Sequence, residues 1–133
     1  MPYRGSVPLF WRIKKSKYNM LGSRCATCGA VFFPPRSLCP SCRRKGKIED
    51  FTFTGCGRIL THTIIRNAPD GFEYNTPYAV AIIALDEGAN ISGQIAGDIT
   101  KIKSGAVVRP VFRKMCEDSE SGLIHYGIKF EVI

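Results

Sequence analysis

Cys25-Ala-Thr-Cys28 and Cys39-Pro-Ser-Cys42 are separated by ten residues in a chain of 133 residues. Each C-x-x-C turn presents two thiolates on the same side of a tight backbone loop, and two such turns this close can bring four sulfurs to one ion. Structural zinc sites commonly use four cysteine sulfurs in a tetrahedral arrangement. The spacing therefore predicts a structural zinc site with Cys25, Cys28, Cys39 and Cys42 as its ligands.

The alternative for these cysteines is a pair of disulfides in a secreted domain. The chain begins Met-Pro-Tyr-Arg-Gly-Ser, without an apolar signal core, and its longest apolar run, Tyr78–Leu85, has eight residues. Such a run is too short to span a bilayer, and a reducing compartment favours metal ligation over disulfides. We therefore expect a cytoplasmic protein with no membrane segment, in which Cys56 and Cys116 are small buried side chains.

The positive charge of the chain is concentrated in its first third. Residues 1–48 contain eleven Lys and Arg and no Asp or Glu, whereas residues 49–133 contain eight Lys and Arg against eleven Asp and Glu. These balances of +11 and −3 make up the formal net charge of +8. A basic segment of this kind suits an anionic partner, such as nucleic acid, a phosphorylated cofactor or an acidic protein face, and it is equally compatible with a solvated surface.

The composition divides the chain into three parts. Pro8 suits a first helical turn, and the apolar and basic residues after it predict a helix from Pro8 to Asn19 within an N-terminal segment of residues 1–21. Residues 22–48 are predicted to form a rubredoxin-like zinc ribbon. After Ile48 the composition changes to β-branched and aromatic residues, so residues 49–133 are predicted to form a separate β domain.

Five strands are predicted in that domain, at about 51–65, 78–85, 91–96, 107–114 and 124–132. The first is expected to be long and curved, with a bend at Gly55-Cys56-Gly57, and Pro110 inside the fourth indicates an edge or a bulge. No predicted helix is long enough for a parallel crossover. The fold class is therefore mainly β, with an N-terminal helix, a zinc ribbon and a five-stranded barrel of the OB type. A sandwich fragment is the alternative to the barrel.

No constellation in the sequence predicts catalysis. His62 lies in the middle of a predicted strand, and His125 lies on the polar face of the last one. Cys56 has no histidine that the spacing places beside it. A zinc ion with four cysteine ligands keeps no open position for water or substrate. We therefore expect no catalytic residue and no enzyme in this chain by itself.

A nucleic-acid-binding protein is the alternative function, because zinc ribbons and OB barrels both recur among such proteins. Sequence-tolerant binding to an OB barrel stacks bases on aromatic side chains of its second and third strands. In those two predicted strands only Tyr78 is aromatic, and the barrel part is net acidic. Nucleic acid is therefore the less favoured partner.

The order of motifs resembles that of a known family. Trp11-Arg12 precedes Cys25-x-x-Cys28-Gly29, and Phe33-Pro34-Pro35-Arg36 lies between the two cysteine turns ahead of an OB-like barrel. This order closely resembles the acyl-CoA-associated zinc-ribbon and OB-fold protein family. The resemblance implies a non-catalytic accessory subunit of an acyl-CoA-processing enzyme complex, one that binds thiolase-fold enzymes.

Within that family the whole sequence looks most like the archaeal branch that bridges acetoacetyl-CoA thiolase and HMG-CoA synthase in the mevalonate pathway of isoprenoid biosynthesis. The resemblance implies these two enzymes as partners in a hetero-oligomer. It also implies a scaffold that assists acyl-CoA binding or the transfer of an intermediate between the enzymes.

Two groups of side chains are candidates for these contacts. The aromatic residues Phe10, Trp11, Tyr18 and Phe33 are candidates for partner binding, because exposed aromatic side chains suit an interface. Packing on the domain's own core is the alternative for Phe10 and Trp11. Coenzyme A carries a 3′-phosphate and a diphosphate, and its pantetheine arm needs an apolar cleft. The candidates for its phosphates are Arg36, Arg43, Arg44 and Lys45.

Overall fold

The computed structural model describes residues 6–70, 72–117 and 119–133. No helix among these residues is long and apolar enough to cross a membrane. In chain order, the described elements are α1 (Val7–Asn19), β1 (Leu21–Cys25), β2 (Val31–Phe32), β3 (Ile48–Thr52), β4 (Gly57–Ile65), β5 (Tyr78–Leu85), β6 (Asn90–Ala96), a 3-10 turn (Ile99–Lys101), β7 (Val107–Glu117) and β8 (Ile124–Val132).

Helix α1 begins one residue before the predicted start. The side-chain oxygen of Ser6 accepts a hydrogen bond from the Leu9 N–H at 3.3 Å, and Pro8 occupies the first turn. Both features favour a helix start, because they leave fewer backbone N–H groups without a partner. The helix ends at Met20, which has a φ of 52°. None of the thirteen residues of α1 is buried, so the helix lies on the surface, where it contacts β1 and β8.

The cysteine turns are attached to a small antiparallel sheet with the strand order β2-β1-β3. Strand β1 pairs along its whole length with β3, from Leu21 opposite Thr52 to Cys25 opposite Ile48. Strand β2 adds two further pairs on the other side of β1. We call residues 21–52, which include both cysteine turns, the ribbon.

The prediction of one long strand over residues 51–65 is wrong. Strand β3 ends at Thr52 and pairs within the ribbon, whereas β4 begins at Gly57 and pairs within the barrel. Gly55 lies between them with a φ of 80°, a left-handed conformation that interrupts an extended strand. Cys56 lies in this break and is half-buried rather than buried. Strand β3 begins at Ile48, the last residue before the predicted boundary, and it pairs with β1.

Strands β4 to β8 form a closed barrel with the order β4-β5-β6-β8-β7. The neighbours pair antiparallel except β6 and β8, which are parallel and pair only at Ile95 with Phe130 and at Ala96 with Glu131. Residues 90–94 and 124–129 therefore leave an opening in the barrel wall between β6 and β8. The predicted fold class is confirmed: the protein is mainly β, with one N-terminal helix, a zinc-ribbon region and an OB-type barrel.

The side chains that fill the barrel come from every part of its wall. The largest fully buried ones are Phe130, Ile59, Ile83 and Val108. The ring of Phe130 lies against Gly93, where an added Cβ would come within 2.6 Å of the ring. Glycine at this position of β6 therefore makes room for the ring of Phe130.

The same core continues towards the ribbon. Met20 and Phe53 are 4% and 3% exposed and belong to the barrel's core cluster. Phe33 and Phe51 pack edge-on against Phe53, with ring centroids 5.9 and 4.9 Å away. The Phe53 N–H donates to the Met20 carbonyl at 3.0 Å. The helix end, the ribbon and the barrel are therefore joined through one apolar cluster.

Strand β7 is longer than predicted, and Pro110 lies in it where the sequence suggests an edge or a bulge. Strand β7 pairs with β4 only at Val107 and Val108, so at Pro110 it has a single paired neighbour, β8. A register shift between Lys114 and Cys116 interrupts that pairing further along. Cys116 follows this irregularity and is half-buried rather than buried, because the strand has left the closed part of the barrel.

Candidate metal centre and apolar cleft

The four cysteines of the two turns lie together. The Sγ atoms of Cys25, Cys28, Cys39 and Cys42 are all within 4.8 Å of one another, and those of Cys28 and Cys39 are 3.6 Å apart. In a tetrahedral Zn–S₄ centre with bonds of about 2.3 Å, neighbouring sulfurs are about 3.8 Å apart. The arrangement therefore fits a single zinc ion.

The two cysteine turns have the same backbone geometry. The Gly29 N–H donates to the Cys25 carbonyl, and the Arg43 N–H donates to the Cys39 carbonyl, both at 2.8 Å. Gly29 and Arg43 have positive φ values of 78° and 52°. The sequence signals this conformation at Gly29 because glycine adopts it without strain, but an arginine gives no such signal. The second turn is therefore slightly strained at Arg43, whereas the first turn is not strained at Gly29.

Gly46 makes room for the sulfur cluster. An added Cβ at this position would lie 2.9 Å from the Cβ of Cys42 and 3.3 Å from the Sγ of Cys25. The Gly46 N–H donates to the Arg43 carbonyl at 3.2 Å, which holds the chain in this position as it leaves the second turn. A side chain here would push the backbone away from the sulfurs.

The pKa values of the thiols indicate why a bound cation would stabilise this site. The pKa of Cys25 is lowered to about 6, mainly because the Cys28 backbone N–H points at its sulfur, although burial acts in the opposite direction. The pKa of Cys42 is raised to about 12 by a hydrogen bond with the Cys28 side chain and by burial. A divalent cation compensates the charge and allows all four sulfurs to ionise. Such an ion has four sulfur ligands and no open position, so its role is structural.

A cleft of about 310 Å³ lies where α1 covers the opening between β6 and β8. From α1, Lys14 and Lys17 reach its edge, with Lys14 Nζ 5.7 Å from the ring centroid of Tyr18 and Lys17 Nζ 5.6 Å from that of Phe10. The cleft therefore combines an apolar wall with two cations. Its apolar lining includes Phe10, Tyr18, Met20, Phe33, Ile91, Met115, Tyr126, Ile128 and Phe130.

The structure separates the aromatic residues predicted to bind a partner. Trp11 is 77% exposed, and it does not line the cleft. The other three line the cleft and pack on rings of the same chain: Phe10 on His125 (4.6 Å between centroids), Tyr18 on Phe112 (5.1 Å) and Phe33 on Phe53 (5.9 Å). Phe10 thus packs on a ring of β8 that is not part of the core cluster, whereas Trp11 is largely exposed. The partner-binding role of these residues stays a prediction.

The basic residues predicted to bind phosphate do not line this cleft. Arg36 is exposed, its guanidinium carbon lies 5.1 Å from the ring centroid of Phe32, and its backbone N–H donates to the Ser23 Oγ at 2.9 Å. Arg43, Arg44 and Lys45 are exposed on the second cysteine turn. The cations at the cleft come instead from α1, and sequence reasoning placed them only in a generally basic segment.

Residues 17–48 match the family described as "ChsH2, rubredoxin-like zinc ribbon domain", and residues 51–113 match "ChsH2, C-terminal OB-fold domain". Two curated relatives carry the name "DUF35 domain-containing scaffold protein". The one from Methanothermobacter thermautotrophicus is 48% identical over 122 residues, which cover 91% of this chain and 92% of the relative. The one from Methanocaldococcus jannaschii is 44% identical over 124 residues, which cover 92% and 88%.

A solved structure, the "Ltp2-ChsH2(DUF35) aldolase", has the same fold. It superposes with a TM-score of 0.68 at 24% identity over 99% of this chain and 98% of that one. Both parts of the present chain thus match ChsH2 domains, and close relatives match nearly its full length. The chain belongs to the DUF35 family, in which a rubredoxin-like zinc ribbon precedes an OB-fold domain.

Proposed function

We propose that this chain is a non-catalytic scaffold subunit that binds thiolase-fold enzymes and assists acyl-CoA binding or the transfer of an intermediate. Relatives that are 48%, 44% and 42% identical are named scaffold proteins, and the name of the solved structure joins a ChsH2 DUF35 chain with Ltp2 in an aldolase. The four-sulfur metal centre is consistent with this proposal, because it leaves no position for substrate.

The proposed partners are acetoacetyl-CoA thiolase and HMG-CoA synthase, acting in the mevalonate pathway in the cytoplasm. This part of the proposal rests on the resemblance of the motif order to the archaeal bridging branch. A chain that held both enzymes would shorten the path of acetoacetyl-CoA from the first to the second. The gain would come from a higher effective concentration of the intermediate rather than from new chemistry.

The exposure of Trp11 is the observation that carries the docking proposal. It is 77% exposed, and Val7, which lies one turn earlier on the same face of the helix, is 61% exposed. Large apolar side chains grouped on a surface commonly mark an interaction site, and tryptophan is enriched among the residues that contribute most to binding. Docking α1 on an enzyme would remove these side chains from water.

Acyl-CoA is the proposed ligand shared with the enzymes. The cleft beneath α1 has the apolar lining that a pantetheine arm needs, and Lys14 and Lys17 add positive charge beside it. Arg36 and the basic residues of the second cysteine turn, residues 43–45, remain the proposed partners of the coenzyme phosphates.

The proposal is tested by measuring the affinity of the full chain for each purified enzyme and repeating the measurement with Trp11→Ala. Loss of a buried aromatic anchor commonly costs about 2 kcal/mol, so we expect a Kd about 30-fold higher. Leu60→Ala is the matched control, because Leu60 is 52% exposed on β4, away from α1, and should bind like the wild type. Absence of binding by the zinc-loaded wild type to both enzymes would contradict the proposal.

A further inference from the structure

We infer that the partner-binding surface extends from α1 across residues 112–117 of β7 and residues 124–126 of β8. We infer that it binds a protein surface with an apolar centre and an acidic rim. The inference rests on the proposed function and deepens it, because it specifies the surface and the chemistry of the partner. Phe112, Tyr126 and Ile124 are the residues that it adds to Trp11.

One face of α1 provides the first half of this surface. Val7, Trp11, Lys14 and Tyr18 are spaced by four, three and four residues, so they lie above one another on the same side of the helix. At 1.5 Å per residue, this row is about 16 Å long. Val7 and Trp11 are 61% and 77% exposed, and Lys14 lies over the ring of Tyr18.

Ring contacts continue this row onto the barrel strands. Tyr18 packs edge-on against Phe112, with centroids 5.1 Å apart, and Phe112 stacks on Tyr126 at 5.4 Å with an angle of 10° between the rings. Phe112 is nevertheless 50% exposed, and Tyr126 is 41% exposed. We call Trp11, Tyr18, Phe112 and Tyr126 the aromatic strip.

The pattern of burial along β8 indicates that its exposed apolar residues are suited to contact with a partner. Ile124, Tyr126, Ile128 and Phe130 alternate along the strand and therefore share one face. Phe130 on this face is 1% exposed, whereas Ile124 is 46% exposed. The face that forms the core at Phe130 therefore lines the cleft beneath α1 at residues 126 and 128, and it is nearly half exposed at Ile124, where β8 no longer pairs with β6. An apolar strand face of this kind is a site for a partner rather than a solvated surface.

The charges around the aromatic strip indicate which charges the partner should carry at the edge of its contact surface. Helix α1 carries Arg12, Lys14, Lys15 and Lys17 and no acidic residue. On β7, Lys114 pairs with Glu117, so this nearby acid is already neutralised within the chain. A complementary surface therefore carries Asp or Glu around an apolar centre. A second copy of this chain is disfavoured as the occupant, because it would bring two such basic helices towards one surface.

The test uses the zinc-loaded full chain and whichever of the two enzymes co-elutes with it. Phe112→Ser should raise the Kd at least about tenfold, and the double variant Arg12→Glu, Lys15→Glu should slow association and reduce its dependence on salt. Ile82→Ser and Lys103→Glu are the matched controls. Ile82 is 44% exposed on β5, and Lys103 is an exposed cation outside α1, so both should bind within about twofold of the wild type.

Hydrogen exchange of the wild-type complex provides a readout that does not depend on any variant. Amides of residues 112–117 and 124–126 should exchange more slowly in the complex, whereas those around Ile82 should not. If the wild type binds an enzyme but this protection is absent, or Phe112→Ser with normal zinc content binds normally, the inference is wrong and the proposed function stands. The same protection in the protein alone at high concentration would identify a second copy as the occupant and overturn the inference. If the wild type binds neither enzyme, the proposed function itself fails, and the inference fails with it.

Discussion

Replacing Cys39 by serine should unfold the ribbon and leave the barrel folded. In residues 21–52 the buried side chains are Ser23, Cys25 and Cys39, so this region has no fully buried apolar side chain apart from cysteine. The partly buried Val31, Phe33 and Phe51 pack on the barrel's cluster rather than on a ribbon core. The metal must therefore supply most of the free energy that orders the ribbon.

The magnitude follows from the metal's share of the folding free energy. Structural zinc contributes about 10–16 kcal/mol of apparent binding free energy in small zinc-finger peptides at neutral pH. Cys39 is 0% exposed and its sulfur lies 3.6 Å from that of Cys28, so a serine hydroxyl there removes an inner ligand without offering an equivalent one. We expect the zinc content to fall from about one ion per chain towards zero.

Metal analysis and hydrogen exchange measure this outcome together. In Cys39→Ser the amides of β1 and β3 should lose protection, while those at Ile83 and Val108 in the barrel should keep it, since these side chains are 0% exposed. Cys56→Ser is the matched control, because Cys56 is half-buried outside the sulfur cluster. A metal-free Cys39→Ser protein with a protected ribbon would show that the ribbon folds without zinc and that the reasoning is wrong.

Two further predictions concern the barrel and its junction with the ribbon. Phe130→Ala should lower the free energy of unfolding by about 3–5 kcal/mol in urea denaturation, because Phe130 is 1% exposed; a loss below about 1 kcal/mol would contradict its place in the core. Burial opposes ionisation of Glu87, but hydrogen bonds from the Thr54 hydroxyl and N–H at 2.6 and 2.7 Å outweigh it and lower its pKa below 4.5. This stabilisation of the folded state is present above pH 4.5 and is lost as the pH falls through the lowered pKa of Glu87. The Thr54→Val variant should therefore unfold at a higher pH than the wild type in an acid titration. An unchanged midpoint of acid unfolding would show that the contact between Thr54 and Glu87 does not stabilise the fold.

The parts that the sequence predicts well depend on local chemistry. The two C-x-x-C turns bring their own sulfurs together within a few residues, so their spacing is enough to predict the grouping of Cys25, Cys28, Cys39 and Cys42. Strands such as Tyr78–Leu85 follow from an apolar run bounded by turn residues, and the observed bounds are the same. The positive φ of Gly29 follows from the same local reasoning.

The break between β3 and β4 is not visible in the sequence. Phe51 and Phe53 alternate with threonines as in a single strand, but alternation reports which faces are apolar and not which strand is the neighbour. In the structure Phe51 pairs with Gly22 of the ribbon, and Phe53 lies beyond the end of β3 in the shared core. The pairing depends on where the ribbon meets the barrel, which is a property of the whole fold.

Which residues form the cleft and the aromatic strip also depends on the whole fold, and the sequence does not show it. Lys14 and Lys17 reach the cleft because α1 lies across the opening between β6 and β8, and the helix sequence does not indicate that position. Phe112 and Tyr126 lie on strand faces that resemble ordinary core faces until the pairing of β6 with β8 is known to stop at Ile95. Sequence reasoning therefore named Trp11 as a candidate for partner binding, but it did not name Phe112 or Tyr126, which belong to the proposed surface.

The central claim is that this chain is a scaffold for thiolase-fold enzymes. Its most direct test is coexpression of the full chain with acetoacetyl-CoA thiolase and HMG-CoA synthase. The products are then analysed by size-exclusion chromatography with light scattering and by metal analysis. The account predicts one complex that contains all three proteins, with one zinc ion per copy of this chain. Elution of the chain apart from both enzymes, with zinc bound and Trp11 intact, would contradict it.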